Sequence, residues 1–234
     1  MTSVRLAVLA FFFAAPSLAH AARPMITDDA RIVDAKACQV EAWVRSNRDS
    51  TEAWALPACN PTGDFELTFG GARVREDGEW AFTDHQLQAK KLFKPYESGG
   101  WGVGLAVGTV RHPRRETARG WPGDVYGYVP FSVALGSDDH VLHVNAGAVR
   151  KRDENRTLGT WGVGLEARLT PRVFFIPETF ATDRGRPFYQ AGLRVWIVPD
   201  RVQMDATYGN RFGGDTSERW FSIGMRLLTP AFLP

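Results

Sequence analysis

Trp161-Gly162-Val163-Gly164-Leu165-Glu166-Ala167-Arg168-Leu169 changes character at every second residue, and Trp101-Gly102-Val103-Gly104-Leu105 opens the same way. Successive side chains of a strand point to opposite faces, so a period of two predicts strand rather than helix. One face of the longer copy is Trp161, Val163, Leu165, Ala167 and Leu169; the other is Gly162, Gly164, Glu166 and Arg168. Glycine weakens a strand interior unless something approaches it closely. An apolar face backed by glycines and charges reads as lipid outside and a crowded polar lumen inside, the pattern of a transmembrane β-barrel.

Five further segments repeat the alternation. Phe65, Leu67 and Phe69 oppose Glu66, Thr68 and Gly70, and Leu142, Val144, Ala146 and Ala148 oppose His143, Asn145 and Gly147. Segments 188–197, 202–208 and 220–227 behave alike, with Gln190, Arg194, Asp205 and Arg226 on their polar faces. Each is close to the roughly 9–11 residues a tilted strand needs to cross a bilayer. Turn signals such as Asn60-Pro61-Thr62-Gly63 and Gly136-Ser137-Asp138-Asp139 separate them.

Strands are therefore expected near 37–47, 51–58, 64–76, 79–94, 100–112, 123–136, 139–152, 157–170, 172–182, 187–199, 201–210 and 218–228. The fold class is all-β, an antiparallel transmembrane β-barrel of about twelve strands, or ten if the first two fail. Those two are irregular: Trp43 falls on the polar face of 37–47, and Pro57 in 51–58 suggests an edge or a bulge.

The first residues read as an export signal. Arg5 supplies a positive charge, Leu6 to Ala15 an apolar core, and Ala19-His20-Ala21 a small-x-small site, with cleavage expected after Ala21 or Ala22. The division is then a signal peptide at 1–22, an extended or plug segment at 23–36 and the barrel at 37–234. Cys38 and Cys59 are the only cysteines, and in an oxidising compartment an even count favours one disulfide. A net charge of +2 gives no reason to expect nucleic acid. In the N-terminal segment Thr27-Asp28-Asp29 could bind a cation, but a solvated turn or plug is the better account.

The polar face opposite lipid collects Glu66, Gln86, Gln88, Lys90, Asn145, Glu166, Arg168, Glu178, Gln190, Arg194, Asp205 and Arg226 as candidate lumen-lining residues. Charges there must pair or line water, because hydrocarbon makes them costly. They either interlock and close the barrel or line a narrow pore or small-ligand pocket.

Catalysis has little support. Of the mature histidines, His85 falls on the lipid face and His112 in a loop. Only His143 points into the lumen, with Ser132 and Ser222 as potential partners, and no G-x-S-x-G elbow is present. His140 and His143 would point to opposite faces of a strand, so they make no metal pair. No cofactor or metal is implied. Arg111, Arg114, Arg115 and Arg119 form a basic loop, suited to anionic lipopolysaccharide or simply solvated.

Arg23-Pro24-Met25-Ile26-Thr27-Asp28-Asp29, with Gln39-Val40-Glu41 opening the first strand, resembles the start of the outer-membrane protein family named for the MetA pathway of phenol degradation. Ile176-Pro177-Glu178 and Trp220-Phe221-Ser222-Ile223-Gly224 resemble it too. The resemblance implies a transporter-like or channel-like barrel and no phenol chemistry. The chain departs from it in carrying Arg31 where the family has a glycine, and in continuing past Leu228 to Phe232-Leu233-Pro234 where a terminal aromatic usually closes the last strand.

These readings together lead to a monomeric barrel of the bacterial outer membrane passing a small solute, with outer-membrane lipid and the barrel-assembly machinery as partners. The alternatives are a closed structural or binding barrel and a soluble periplasmic lipocalin-like binder. An outer-membrane lipid hydrolase ranks below both.

Overall fold

The computed structural model describes residues 25–113 and 122–234. The export signal, Arg23, Pro24 and the loop arginines Arg114, Arg115 and Arg119 lie outside the described residues.

Thirteen strand segments follow in order: β1 (Ala37–Ser46), β2 (Thr51–Asn60), β3 (Phe65–Glu76), β4 (Glu79–Lys94), β5 (Trp101–Arg111), β6 (Asp124–Leu135), β7 (Ser137–Lys151), β8 (Arg156–Thr170), β9 (Val173–Phe175), β10 (Glu178–Thr182), β11 (Phe188–Val198), β12 (Val202–Arg211) and β13 (Trp220–Leu228). Neighbours pair antiparallel, and β13 returns to β1 from Gln39↔Leu228 to Ser46↔Phe221, which closes the sheet. β9 and β10 are two pieces of one stave, since both pair with β8 on one side and β11 on the other. The barrel thus has twelve staves, and closure leaves no exposed edge.

The break between β9 and β10 falls at Ile176-Pro177, where proline cannot donate to a ladder. The ladders bridge it nonetheless: Leu165 N–H donates to Pro177 O and Ile176 N–H to Gly192 O, both at 2.9 Å.

Pro57 marks no edge. β2 runs through it, with Pro57 opposite Val40 of β1, while the β2–β3 register skips from Ala55↔Gly71 to Ala58↔Thr68. The missing N–H falls in that unpaired step, and Gly70 beside it has φ +152°. A Cβ on Gly70 would lie 2.1 Å from Ala55 O, so only glycine fits there.

Polarity runs opposite to that of a soluble barrel. Leu67, Phe69, Leu87, Val107, Leu193, Ile223 and Met225 are exposed on the outside. Buried side chains of the staves include many polar ones, among them Thr68, Gln86, Gln88, Ser132 and Thr207. β5 runs away from the end holding both β1's start and β13's finish, and β8 runs back towards it. Trp101 and Trp161 therefore sit towards opposite ends of the barrel, both exposed.

Connections at the terminal end are short, spanning 61–64, 95–100, 136, 171–172 and 199–201. The other end carries the longest ones, 112–123 and 212–219. At the terminal end Cys38 and Cys59 face each other across β1 and β2 and are disulfide-bonded. Phe232 and Leu233 N–H donate to Lys36 O at 2.8 and 2.9 Å, tying the last residues to the start of β1.

Candidate functional site: a filled lumen

Residues 25–35 belong to no strand; they enter at the terminal end and run up inside the barrel. Near the entrance Asn60 Nδ2 donates to Val33 O at 2.7 Å and Val33 N–H to Glu66 Oε2 at 3.0 Å. Higher up, Ala30 N–H donates to Ser132 Oγ at 2.8 Å. Asn145 then grips both sides of Asp28, accepting its N–H at 2.7 Å and donating to its carbonyl at 2.8 Å. Beyond it, the Glu178 carboxylate receives the N–H groups of Ile26 and Thr27, each at 2.7 Å. Buried main-chain groups need partners, and here wall side chains supply them in place of a ladder.

Thr27-Asp28-Asp29 is therefore part of a buried plug and not a solvated turn. Asp28 and Asp29 are 8% and 4% exposed. Lys90 Nζ lies 2.8 Å from Asp28 Oδ2 and donates to Asp29 O at 2.7 Å, and Tyr128 OH donates to Asp28 Oδ2 at 2.8 Å. A buried carboxylate is tolerated when paired and hydrogen-bonded, which these contacts provide.

The glycines of Trp161-Gly162-Val163-Gly164-Leu165 make room for the plug. A Cβ on Gly162 would stand 2.6 Å from Thr27 Oγ1, and one on Gly164 would stand 2.6 Å from Met25 Cε. In the first copy the crowding is with the chain before β5: a Cβ on Gly102 would meet Tyr96 N at 2.5 Å. That residue belongs to the clamp at the entrance, where Tyr96 N–H donates to Ala30 O at 3.2 Å and Arg31 lies over the Tyr96 ring at 4.5 Å. Arg31 Nη1 also reaches Glu166 Oε2 at 3.0 Å, which gives this departure from the family pattern a partner. Burial pushes the Tyr96 hydroxyl up to about 12, reinforced by its bond to Asp138.

Glu66, Gln86, Gln88, Lys90, Asn145, Glu166, Glu178, Gln190, Arg194, Asp205 and Arg226 are all buried on the inward face. Arg168 is not. It lies at the terminal-end rim with its side chain 40% exposed, 3.3 Å from Asp139 Oδ1, because β8 extends past the plugged section. Arg194 links Glu166 and Asp205, the latter at 2.7 Å, and Arg226 donates to Gln39 Oε1 at 2.6 Å. Gln39, Glu41, Tyr126 and Tyr128 also face inward. The tyrosines alternate with Gly127, which sits on the outer face, so their apolar-to-small pattern reads inverted in sequence.

His143 is buried, with Nδ1 2.8 Å from Ser132 Oγ and Nε2 3.7 Å from Glu166 Oε2. Ser222 is elsewhere, 2.7 Å from Thr207 Oγ1. The Ser132–His143–Glu166 row has the order of a nucleophile, base and orienting acid. Its surroundings serve another purpose: the hydroxyl oxygen receives Ala30 N–H and Glu166 is held by Arg31 and Arg194. The row ties the plug to the wall.

At the opposite mouth His112 is not a free loop residue. It is buried between Asp84, bonded to its Nδ1, and Asp124, whose Oδ2 is 3.5 Å from Nε2 and 2.6 Å from Lys151 Nζ. Burial alone would lower its pKa, but the bonds to Asp124 and Asp84 outweigh this and raise it to about 9.

Beside the plug remain a space of about 40 Å³ between Ile26, Tyr128, Asn145 and Phe180, and one of about 10 Å³ between Met25, His143 and Arg194. Each has room for only a water or a few.

An inverted-polarity barrel of twelve staves around a polar lumen is the fold of an outer-membrane β-barrel. The chain belongs to the family described as uncharacterised conserved protein UCP029691, whose model matches residues 7–228. Among solved structures it is similar to KdgM porin, with TM-score 0.61 and 8% identity over 81% of this chain and 98% of that one. KdgM porin in complex with disordered oligogalacturonate gives 0.62 and 9% over the same shares. An outer membrane channel from Pseudomonas putida F1 gives 0.56 and 12% over 86% and 98%. At such identities the likeness is one of fold. No curated protein matches the chain.

Proposed function

We propose that the protein is an outer-membrane channel for a small solute, closed by residues 25–36 and opened when that segment withdraws towards the terminal end. The observation that carries this reading is how the plug is held. Side chains of the wall grip its backbone, and it contributes no strand to the sheet. Withdrawal therefore leaves every barrel ladder intact. A permanently filled barrel would be served as well or better by well-packed apolar residues, since buried ion pairs often cost more in desolvation than they return. Water entering behind the plug would solvate the same groups.

With the short connections periplasmic and the long ones outside, the plug enters from the periplasm. The barrel works as a monomer in lipid, delivered by an export signal and the barrel-assembly machinery. Two of the four stretches that resemble the MetA-pathway family, Arg23–Asp29 (through its residues Ile26 and Thr27) and Ile176–Glu178, meet at Glu178. This supports a plug of the same kind in that family.

Single-channel recording in a planar bilayer tests the reading, comparing the wild-type chain with Asp28→Ala/Ala30→Pro. The variant loses the carboxylate on Lys90 and the N–H on Ser132. Heat-modifiable migration on gels establishes that both are folded. Wild type should be mostly silent and the variant should conduct in discrete steps. A folded, inserted variant as silent as wild type would make the barrel a closed structural one.

A further inference from the structure

Around the plug the wall's inward face carries three buried cations, Lys90, Arg194 and Arg226. It carries five buried carboxylates: Glu41, Glu66, Glu166, Glu178 and Asp205. Even with His143 protonated the carboxylates outnumber the cations. Nearer the outer mouth the charges balance: Arg45 pairs with Glu52 at 2.7 Å, Arg211 with Glu218 at 2.5 Å, and Asp84 and Asp124 face His112 and Lys151.

The plug meets the wall's acids with donors. Glu66 takes Val33 N–H, Glu166 takes the Arg31 guanidinium, and Glu178 takes two N–H groups. It meets Lys90 with the carboxylate of Asp28. The closed lumen is thus satisfied by a donor-bearing peptide laid along an acidic wall.

We infer that the open lumen selects cations, and among larger solutes favours those bearing amino or guanidino groups. The inference rests on the channel reading above. Once water replaces the plug, the exposed carboxylates are solvated and carry negative charge at neutral pH. A narrow passage with low-dielectric walls of one net sign focuses the field and enriches counter-ions, as carboxylate rings do in cation channels. The donor sites vacated by Ile26, Thr27, Arg31 and Val33 are then open to ammonium and guanidinium groups.

The test is the reversal potential of full-length Asp28→Ala/Ala30→Pro in a tenfold KCl gradient; both substitutions lie on the plug and leave the wall charges unchanged. K⁺ should permeate several-fold better than Cl⁻. Adding Glu66→Gln and Glu178→Gln together should bring the ratio towards one, and millimolar arginine should reduce K⁺ current in the double variant more than in that quadruple one. Current carried mainly by Cl⁻, or a ratio indifferent to the two glutamates, overturns the inference while leaving the gate in place. Silence of the folded variant removes the gate itself, and the selectivity with it.

Discussion

The carboxylate of Glu178 accepts the main-chain N–H of Thr27 at 2.7 Å, across 151 residues of sequence. It joins a stave of the wall to a segment that belongs to no stave, and similar bonds from Glu66, Ser132 and Asn145 repeat the arrangement along the plug. The stability of the closed lumen therefore resides in a handful of side chains and can be altered one at a time.

Asn145→Ala should loosen the plug without unfolding the barrel. It leaves the N–H and carbonyl of Asp28 unsatisfied in a buried place, each at roughly 1–3 kcal/mol. Both native cysteines are in the disulfide, so Thr27→Cys gives a single free thiol as reporter. Its labelling by a water-soluble maleimide should be at least about tenfold faster in the Asn145→Ala background, as expected from 1.4 kcal/mol or more. An unchanged rate would place the grip elsewhere.

Gly162→Ala should act from the wall. The new methyl would overlap Thr27 Oγ1 at 2.6 Å, and a buried β-branched side chain has little freedom to yield. Labelling of Ile26→Cys should rise, whereas Gly159→Ala, whose Cβ would meet Asp183 no closer than 3.5 Å, should change nothing.

Arg194 and Arg168 should respond very differently to truncation, although they fall on polar faces of similar strands. Arg194→Leu leaves Glu166 and Asp205 without their shared cation in a buried cluster, a change that typically costs about 3–5 kcal/mol. Arg168→Ala breaks one exposed pair with Asp139, worth at most about 1 kcal/mol. Thermal denaturation in detergent should show a large drop for the first and almost none for the second. Arg168→Ala should also leave the conductance of an open variant unchanged.

His112 should make the outer mouth sensitive to alkaline pH. Its pKa is raised from 6.5 to about 9, so its contribution is complete below about pH 6.5 and is lost as pH rises through 9. Proteolytic resistance of the neighbouring connection should fall over that window. His112→Gln, which cannot carry the charge between Asp84 and Asp124, should flatten the dependence; a wild-type profile unchanged between pH 6 and 10 would count against the buried imidazolium.

The barrel itself was legible residue by residue. Alternation is a local property: a strand's geometry sends Leu165 one way and Glu166 the other whatever lies beyond, and lipid outside tells the two faces apart. That determined the strands and which side chains share a face, while the even cysteine count of an exported chain pointed to the pairing of Cys38 with Cys59. It stumbled where a local rule had two outcomes, as at Pro57, read as an edge or a bulge in a sheet that has no edge, and at Arg168, whose height places it beyond the plugged section.

The tertiary structure alone decided what fills the lumen. Met25 to Val33 has no period from which a face could be read, and its partners lie on β2, β3, β4, β6, β7, β8 and β10, up to 152 residues away. They become neighbours only when β13 closes on β1. Until then Asp28 and Asp29 look like any solvated pair; inside the closed ring, where water is excluded, each of their polar atoms must find a partner, and the wall's glycines and side chains are placed to receive them.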